Sequence, residues 1–177
     1  MGNVFSFSQD HNRLYRLLTT EEWGAIYSSY IQSGYKDDCF EITRLEFNNS
    51  EVLATCKMTQ YYVSDTDDSG FHLSIFTAIA ILGQPLIIHA HVINNVWRKD
   101  FEVLMGKLSI ELKRPIRTPN EISLRLRIIH QDLKPSQSQK DLIRAAYTWA
   151  FDIEQGAFTG ELSAYFTFRA ADIRLSD

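Results

Sequence analysis

Between Leu73 and Val92 run twenty consecutive residues without an Asp, Glu, Lys or Arg, and few folds can accommodate such a stretch. Its length is that of a membrane span. The run nevertheless carries Ser74, Gln84, Pro85, His89 and His91, and the rest of the chain alternates apolar and polar residues as a sheet does. The better account is a helix buried on all sides. It is expected to be interrupted or kinked near Pro85, whose nitrogen has no proton to give an intrahelical bond. No transmembrane segment is expected.

A helix that is apolar all round must be enclosed, and the flanking sequence says by what. Thr19-Thr20-Glu21-Glu22 has the spacing of a capping box. Trp23, Ile26, Tyr27, Tyr30 and Ile31 then fall on one helical face, with Gly34 as the stop, which predicts an amphipathic helix of about four turns. Cys39 to Phe47 and Val52 to Thr59 read as a β-hairpin joined at Asn48-Asn49-Ser50, where asparagines tolerate positive φ.

Beyond the long helix, strands dominate. Leu108, Ile110 and Leu112 alternate with Lys107, Ser109, Glu111 and Lys113, and Pro115 and Pro119 frame the following turn. Leu124 and Leu126 oppose Arg125 and Arg127. Tyr147, Trp149, Phe151 and Ile153 share a face of the next strand, with Gly156 at its turn. The last strand sets Phe158, Leu162, Ala164, Phe166 and Phe168 on one side.

Helix, hairpin, buried helix and then four consecutive strands in two hairpins make an α+β protein. A curved antiparallel sheet of about six strands, wrapped around the long helix, supplies the enclosure. This is the hotdog architecture. A single hotdog domain is expected over residues 19–177, behind an N-terminal tail of residues 1–18. Such domains pair edge to edge, so a dimer or a dimer of dimers is expected.

Composition narrows the class. The 177 residues are 45% apolar and 23% charged, which excludes intrinsic disorder. With 18 basic against 22 acidic residues the net charge is −4, so there is no global field to draw in nucleic acid, and none is expected as a partner. Cys39 and Cys56 are too few for a disulfide scaffold and have no zinc-like spacing, so they read as reduced thiols in a cytoplasm. No metal site is expected. Met1-Gly2-Asn3-Val4-Phe5-Ser6 fits the N-myristoylation pattern at Gly2, without a polybasic run to supply a second anchor.

The segment Gly70-Phe71-His72-Leu73-Ser74-Ile75-Phe76-Thr77, continuing to Gly83-Gln84, resembles the start of the central helix in the FcoT-like fatty acyl-CoA thioesterases. In that family a Gly-His-Phe-Asn segment opens the helix, and a glutamine follows twelve residues after the histidine. His72 and Gln84 keep that spacing. Lys113-Arg114-Pro115-Ile116 and Ile122-Ser123-Leu124-Arg125-Leu126 resemble the family's basic turn and following strand, and Gly160-Glu161-Leu162 its last strand. The resemblance covers most of residues 20–168 in length and order. It implies hydrolysis of a fatty acyl thioester, with no cofactor beyond the coenzyme A or phosphopantetheine of the substrate itself. Ser74, Thr77, Gly83, Ile87 and Thr66 stand where the family has polar or aromatic residues, while a tyrosine ahead of the first strand survives as Tyr35.

Unpaired amides in the first helical turn after Gly70, with the positive end of the helix dipole, can stabilise an oxyanion. A histidine such as His72 can act as base, acid or carbonyl donor. Ser74 stands at the family's polar position, where it would bond the carbonyl or position water. Asp65, Asp67 and Asp68 are the carboxylates nearest in sequence to the helix and are candidates for activating water, Asp65 and Asp68 foremost. Gly70, Tyr35, Tyr62 and Gln84 are candidate substrate contacts. Residues 98–117 hold six basic residues, Arg114 and Arg117 among them, against three acids, a local excess suited to the phosphates of coenzyme A or an acyl-carrier protein. The alternatives are dehydration or hydration of a hydroxyacyl or enoyl thioester, with His72 moving the α-proton, and a non-catalytic acyl-binding hotdog protein.

Overall fold

The computed structural model describes residues 14–26, 39–61 and 70–173. The expected helical residues Tyr27, Tyr30 and Ile31, the stop at Gly34, and Gly2 lie outside them. So do the candidate site residues Tyr35, Tyr62, Asp65, Asp67 and Asp68.

The elements follow in the order β1 (Arg16–Leu17), α1 (Thr20–Gly24), β2 (Phe40–Asn48), β3 (Glu51–Met58), α2 (Ile75–Ile93), β4 (Leu104–Leu112), β5 (Ile122–Pro135), β6 (Leu142–Ile153) and β7 (Phe158–Arg169). The strands form one antiparallel sheet of order β1-β2-β3-β5-β6-β7-β4, with α2 packed against it. The α+β hotdog architecture expected from the sequence is present, with seven strands because Arg16 and Leu17, placed with the tail, pair with Phe47 and Glu46.

Local rules account for much of this. Thr19 closes the capping box of α1: its Oγ1 accepts from Glu22 N–H at 3.3 Å, while the Glu22 carboxylate accepts from Thr19 N–H at 2.9 Å. The helix is shorter than expected at this end, five residues with Ala25 as C-cap. In the β2–β3 turn no residue takes positive φ. The Asn48 side chain instead accepts from Ser50 N–H at 2.9 Å and closes the loop itself.

The inward faces of β6 and β7 are as the alternation predicts, with Tyr147, Trp149, Phe151, Ile153, Leu162, Phe166 and Phe168 all buried. Between β4 and β5 the expected hairpin does not form. One edge of β5 is taken by β3 and the other by β6, so β4 crosses to the outer edge of β7. Gly160 permits that pairing, because a Cβ there would lie 1.9 Å from the Ser109 carbonyl oxygen. As the outermost strand, β4 buries little: Leu112, on the apolar side of the alternation, is 54% exposed.

Helix α2 continues through Pro85 from Ile75 to Ile93 without interruption. The missing proline hydrogen bond is tolerated because Pro85 and its neighbours are packed inside the protein, and packing rather than propensity holds such a helix. By length and composition α2 could cross a membrane, but 67% of its most apolar window is buried within the protein. Its C-terminal half is enclosed on every side. Its N-terminal half is not, and Phe76 is 81% exposed.

Buried polar groups pin the enclosed half to the sheet. Trp149 Nε1–H donates to His89 Nδ1 at 3.2 Å, and His89 Nε2–H donates to the Asn48 carbonyl at 2.8 Å, which fixes a neutral tautomer. His91 Nδ1–H donates to the Ile87 carbonyl at 2.8 Å, and the ring lies edge-on to Phe166 and Phe168. Asn94 donates to the Tyr147 hydroxyl at 2.6 Å. The two imidazoles point to different surroundings. Among the described residues, no group of three or more His, Cys, Asp or Glu side chains is placed to hold a metal ion.

Candidate active site

The open end of α2 begins at Gly70, whose φ of +70° lies in the left-handed region that glycine enters without strain. Phe71 is buried and packs edge-on against Tyr61 at 4.9 Å, so the chain on either side of residues 62–69 meets at the start of the helix. His72 is exposed and lies two residues before the N-cap.

Ser74 is that N-cap. Its Oγ accepts from Thr77 N–H at 3.1 Å and sits 2.9 Å from Thr77 Oγ1. Ala78 N–H already bonds the Ser74 carbonyl at 2.9 Å. Helix geometry therefore leaves the Ile75 and Phe76 amides as the first-turn donors with no intrahelical acceptor. They point outward at the positive end of the helix dipole.

A backbone bond brings the basic turn to this place. Leu73 N–H donates to the Ile116 carbonyl at 3.0 Å, which sets exposed Arg117 one residue beyond that acceptor and His72 one residue before the donor. The same turn is held by Pro119, whose carbonyl accepts from Met58 N–H at 2.8 Å, and by Lys113 N–H, which donates to Ala157 O at 2.8 Å. Arg114 has a structural task. Its guanidinium donates to the Glu154 carbonyl, and to that of Gln155 at 3.5 Å, bracing a β6–β7 turn in which Glu154 and Gln155 hold φ of +51° and +50°.

Sequence reasoning missed a cavity of about 330 Å³ against the same helix. Ile79, Gly83 and Ile87 of α2 line one side, and Met105, Leu162 and Ala164 the other. Gln84 lies on its wall and is buried. Gly83 and Ile87, where the chain departs from the FcoT-like pattern, are both on that wall. His72, Ser74 and Gly70 are not, so the structure separates a polar mouth from an apolar chamber further along α2.

Elsewhere, the one fully buried carboxylate among the described residues, Glu51, is held by Arg125 Nε at 2.6 Å and by the Tyr15 hydroxyl, and belongs to the sheet. Burial pushes the Cys56 thiol up to about 12, which leaves it unreactive.

The chain matches no protein-family profile and no curated protein sequence. Among solved structures it is similar to a hypothetical thioesterase from Streptococcus pneumoniae, determined with coenzyme A, at 8% identity over 85% of this chain and 98% of that one, with a TM-score of 0.48. It is also similar to a thioesterase from Pseudomonas aeruginosa, at 12% identity over 72% and 81%, with a TM-score of 0.44. A thioesterase from Haemophilus influenzae shares 14% identity over 85% and 82%, with a TM-score of 0.42. Likenesses this distant carry no chemistry across.

Proposed function

We propose that this protein is an acyl thioesterase that hydrolyses fatty acyl thioesters of coenzyme A or of an acyl-carrier protein. The observation that carries this reading is the Leu73–Ile116 bond, because it sets a basic turn beside the open N-terminus of an otherwise buried helix. An acyl thioester needs those parts in that order: cations for its phosphates, dipoles for its carbonyl and an apolar chamber for its chain.

In this reading the thioester carbonyl oxygen accepts from the Ile75 and Phe76 amides, where the dipole favours the developing oxyanion. His72 takes a proton from water as the water oxygen attacks the carbonyl carbon. The C–S bond then breaks, and the proton is returned to the departing thiolate. Asp65 or Asp68 would share in activating the water, and Tyr35 and Tyr62 in holding the substrate. Gly70 allows close approach, and Gln84 contacts the acyl chain. The FcoT-like relationship is part of the same proposal.

The test is thiol release from a panel of acyl-CoA and acyl-carrier thioesters, with enoyl absorbance followed separately. Thiol release is expected. Enoyl formation without thiol would replace hydrolysis by dehydration. Binding without either would make this an acyl-binding protein, a reading favoured by one observation, that the Ser74 hydroxyl is already committed to Thr77.

For the phosphates, Arg117→Ala should weaken coenzyme A thioester binding at low salt, with the difference fading above 0.1 M, where screening acts within about 10 Å. Arg114→Ala should do the same and also loosen the β6–β7 turn. Equal affinities for wild type and Arg117→Ala at low salt would remove the turn from the site.

Assembly follows from β4, whose outer edge has no strand beside it among the described residues. Leu104, Met105 and Leu112 are exposed on it, an arrangement that invites pairing with a second copy. Sedimentation should show a dimer or a dimer of dimers, and a monomer throughout the micromolar range would refute this pairing. A cytoplasmic setting accords with two free thiols, Cys39 half-buried and Cys56 sealed.

A further inference from the structure

The chamber beside α2 has a definite size, and one residue keeps it open. We infer that it holds about ten to twelve carbons of an unbranched acyl chain, with Gly83 keeping its middle open. This rests on the acyl-thioester reading and adds a substrate class to it.

Two estimates of the length agree. From Ile79 to Ile87 the helix wall spans about 12 Å at 1.5 Å per residue. An extended chain advances about 1.2 Å per bond, as three backbone bonds cover 3.3–3.6 Å, so about ten bonds fit. By volume, an apolar cavity of ~150 Å³ holds the six carbons of benzene. In proportion, the 330 Å³ here holds about a dozen carbons. Among the described residues that line it none is charged, and Gln84 is the sole amide. Phe76, 81% exposed one turn before Ile79, gives the chain an apolar threshold between the mouth and the chamber. Past Ile87 the helix is enclosed by the core, and a longer chain meets packed side chains.

Gly83 has no conformational reason to be glycine. It lies inside a regular helix, where glycine is the poorest ordinary residue, and its φ is not positive. Nor does close packing require it: a Cβ built there meets no atom within 4 Å, whereas at Gly160 it would collide with backbone. What a side chain at Gly83 would do is occupy the chamber. The position trades helix stability for volume.

The experiment uses the full chain and two sets of probes, unbranched fatty acids of six to sixteen carbons for binding by calorimetry, and the matching CoA thioesters for thiol release. Binding should tighten about fourfold per added carbon, the ratio expected for burying one methylene, and stop tightening near ten to twelve. Gly83→Leu should bring the limit down by several carbons and cut binding of the twelve-carbon acid at least tenfold. Gly83→Ala, which fills less, should shorten it by one or two carbons and raise the melting temperature, so a misfolded leucine variant cannot hide the answer. Affinity with no length limit, or a limit that neither variant moves, overturns the inference. If the acids obey the limit and no thioester is cleaved, the chamber stands and hydrolysis falls. If thioesters of every length are cleaved alike by all three proteins, hydrolysis stands and the chamber falls.

Discussion

His72→Ala should slow thioester hydrolysis by roughly 10² to 10⁴-fold, the usual contribution of a positioned acid or base, while the melting temperature barely moves. The structural half of this expectation comes from exposure. His72 lies at the surface before the N-cap and outside the buried core, and the cap that holds the first turn belongs to Ser74. Removing the imidazole therefore deletes little packed area and no helix cap. The opposite pattern, a clear loss of stability with near-normal turnover, would make His72 a structural residue. Activation of water would then pass to Asp65, Asp67 or Asp68. Rate and melting have to be measured on one preparation, since an unfolded variant is inactive for trivial reasons.

The contrast with Ser74 shows what the sequence could and could not convey. A serine at the start of a helix is legible both as a cap and as a polar site group, and only the 3.1 Å bond to Thr77 N–H shows that the hydroxyl is occupied. The paired faces of β6 and β7 were legible because strict alternation survives along both strands. The second half of β5 was not. Between Ile128 and His130 the pairing register shifts, so the residues paired with the inward side of β6 change from Leu124, Leu126 and Ile128 to exposed Gln131 and half-buried Leu133, and a period-2 pattern loses phase. Pairing β4 with β5 failed for a different reason. Adjacency in sequence does not show that both edges of β5 are already taken. The meeting of Leu73 with Ile116 was illegible in principle, since a backbone bond between segments distant in sequence leaves no side-chain signature. The chamber was hidden because Ile79 and Ile87 have the spacing of core residues, and only the empty space over Gly83 tells them apart.

Acid should destabilise the fold well before its carboxylates are protonated, because both histidines of the enclosed helix half are buried neutral. Burial is the main cause: it pushes His89 and His91 down from an ordinary 6.5 to about 4, against the smaller opposing pull of the Asn48 and Ile87 carbonyls and of Glu51 and Asp100. His89 has no room for a second ring proton, since Nδ1 already accepts from Trp149. With the folded value depressed, the unfolded chain binds more protons between pH 6.5 and 4, so stability rises with pH across that window. It is fully present above 6.5, declines as pH falls, and stops declining below about 4. At pH 5 the loss is on the order of 2 kcal/mol for each histidine, and about 4 kcal/mol for the pair, a large part of the 5–15 kcal/mol that typically holds a domain together. Urea unfolding at pH 7.5, 6 and 5 measures it directly. His91→Gln, which can still donate to the Ile87 carbonyl, should start less stable and lose about half of the pH dependence. A wild-type protein equally stable at pH 7.5 and 5 would mean that the imidazoles reach water in the folded state, and that α2 is not enclosed where His89 and His91 sit.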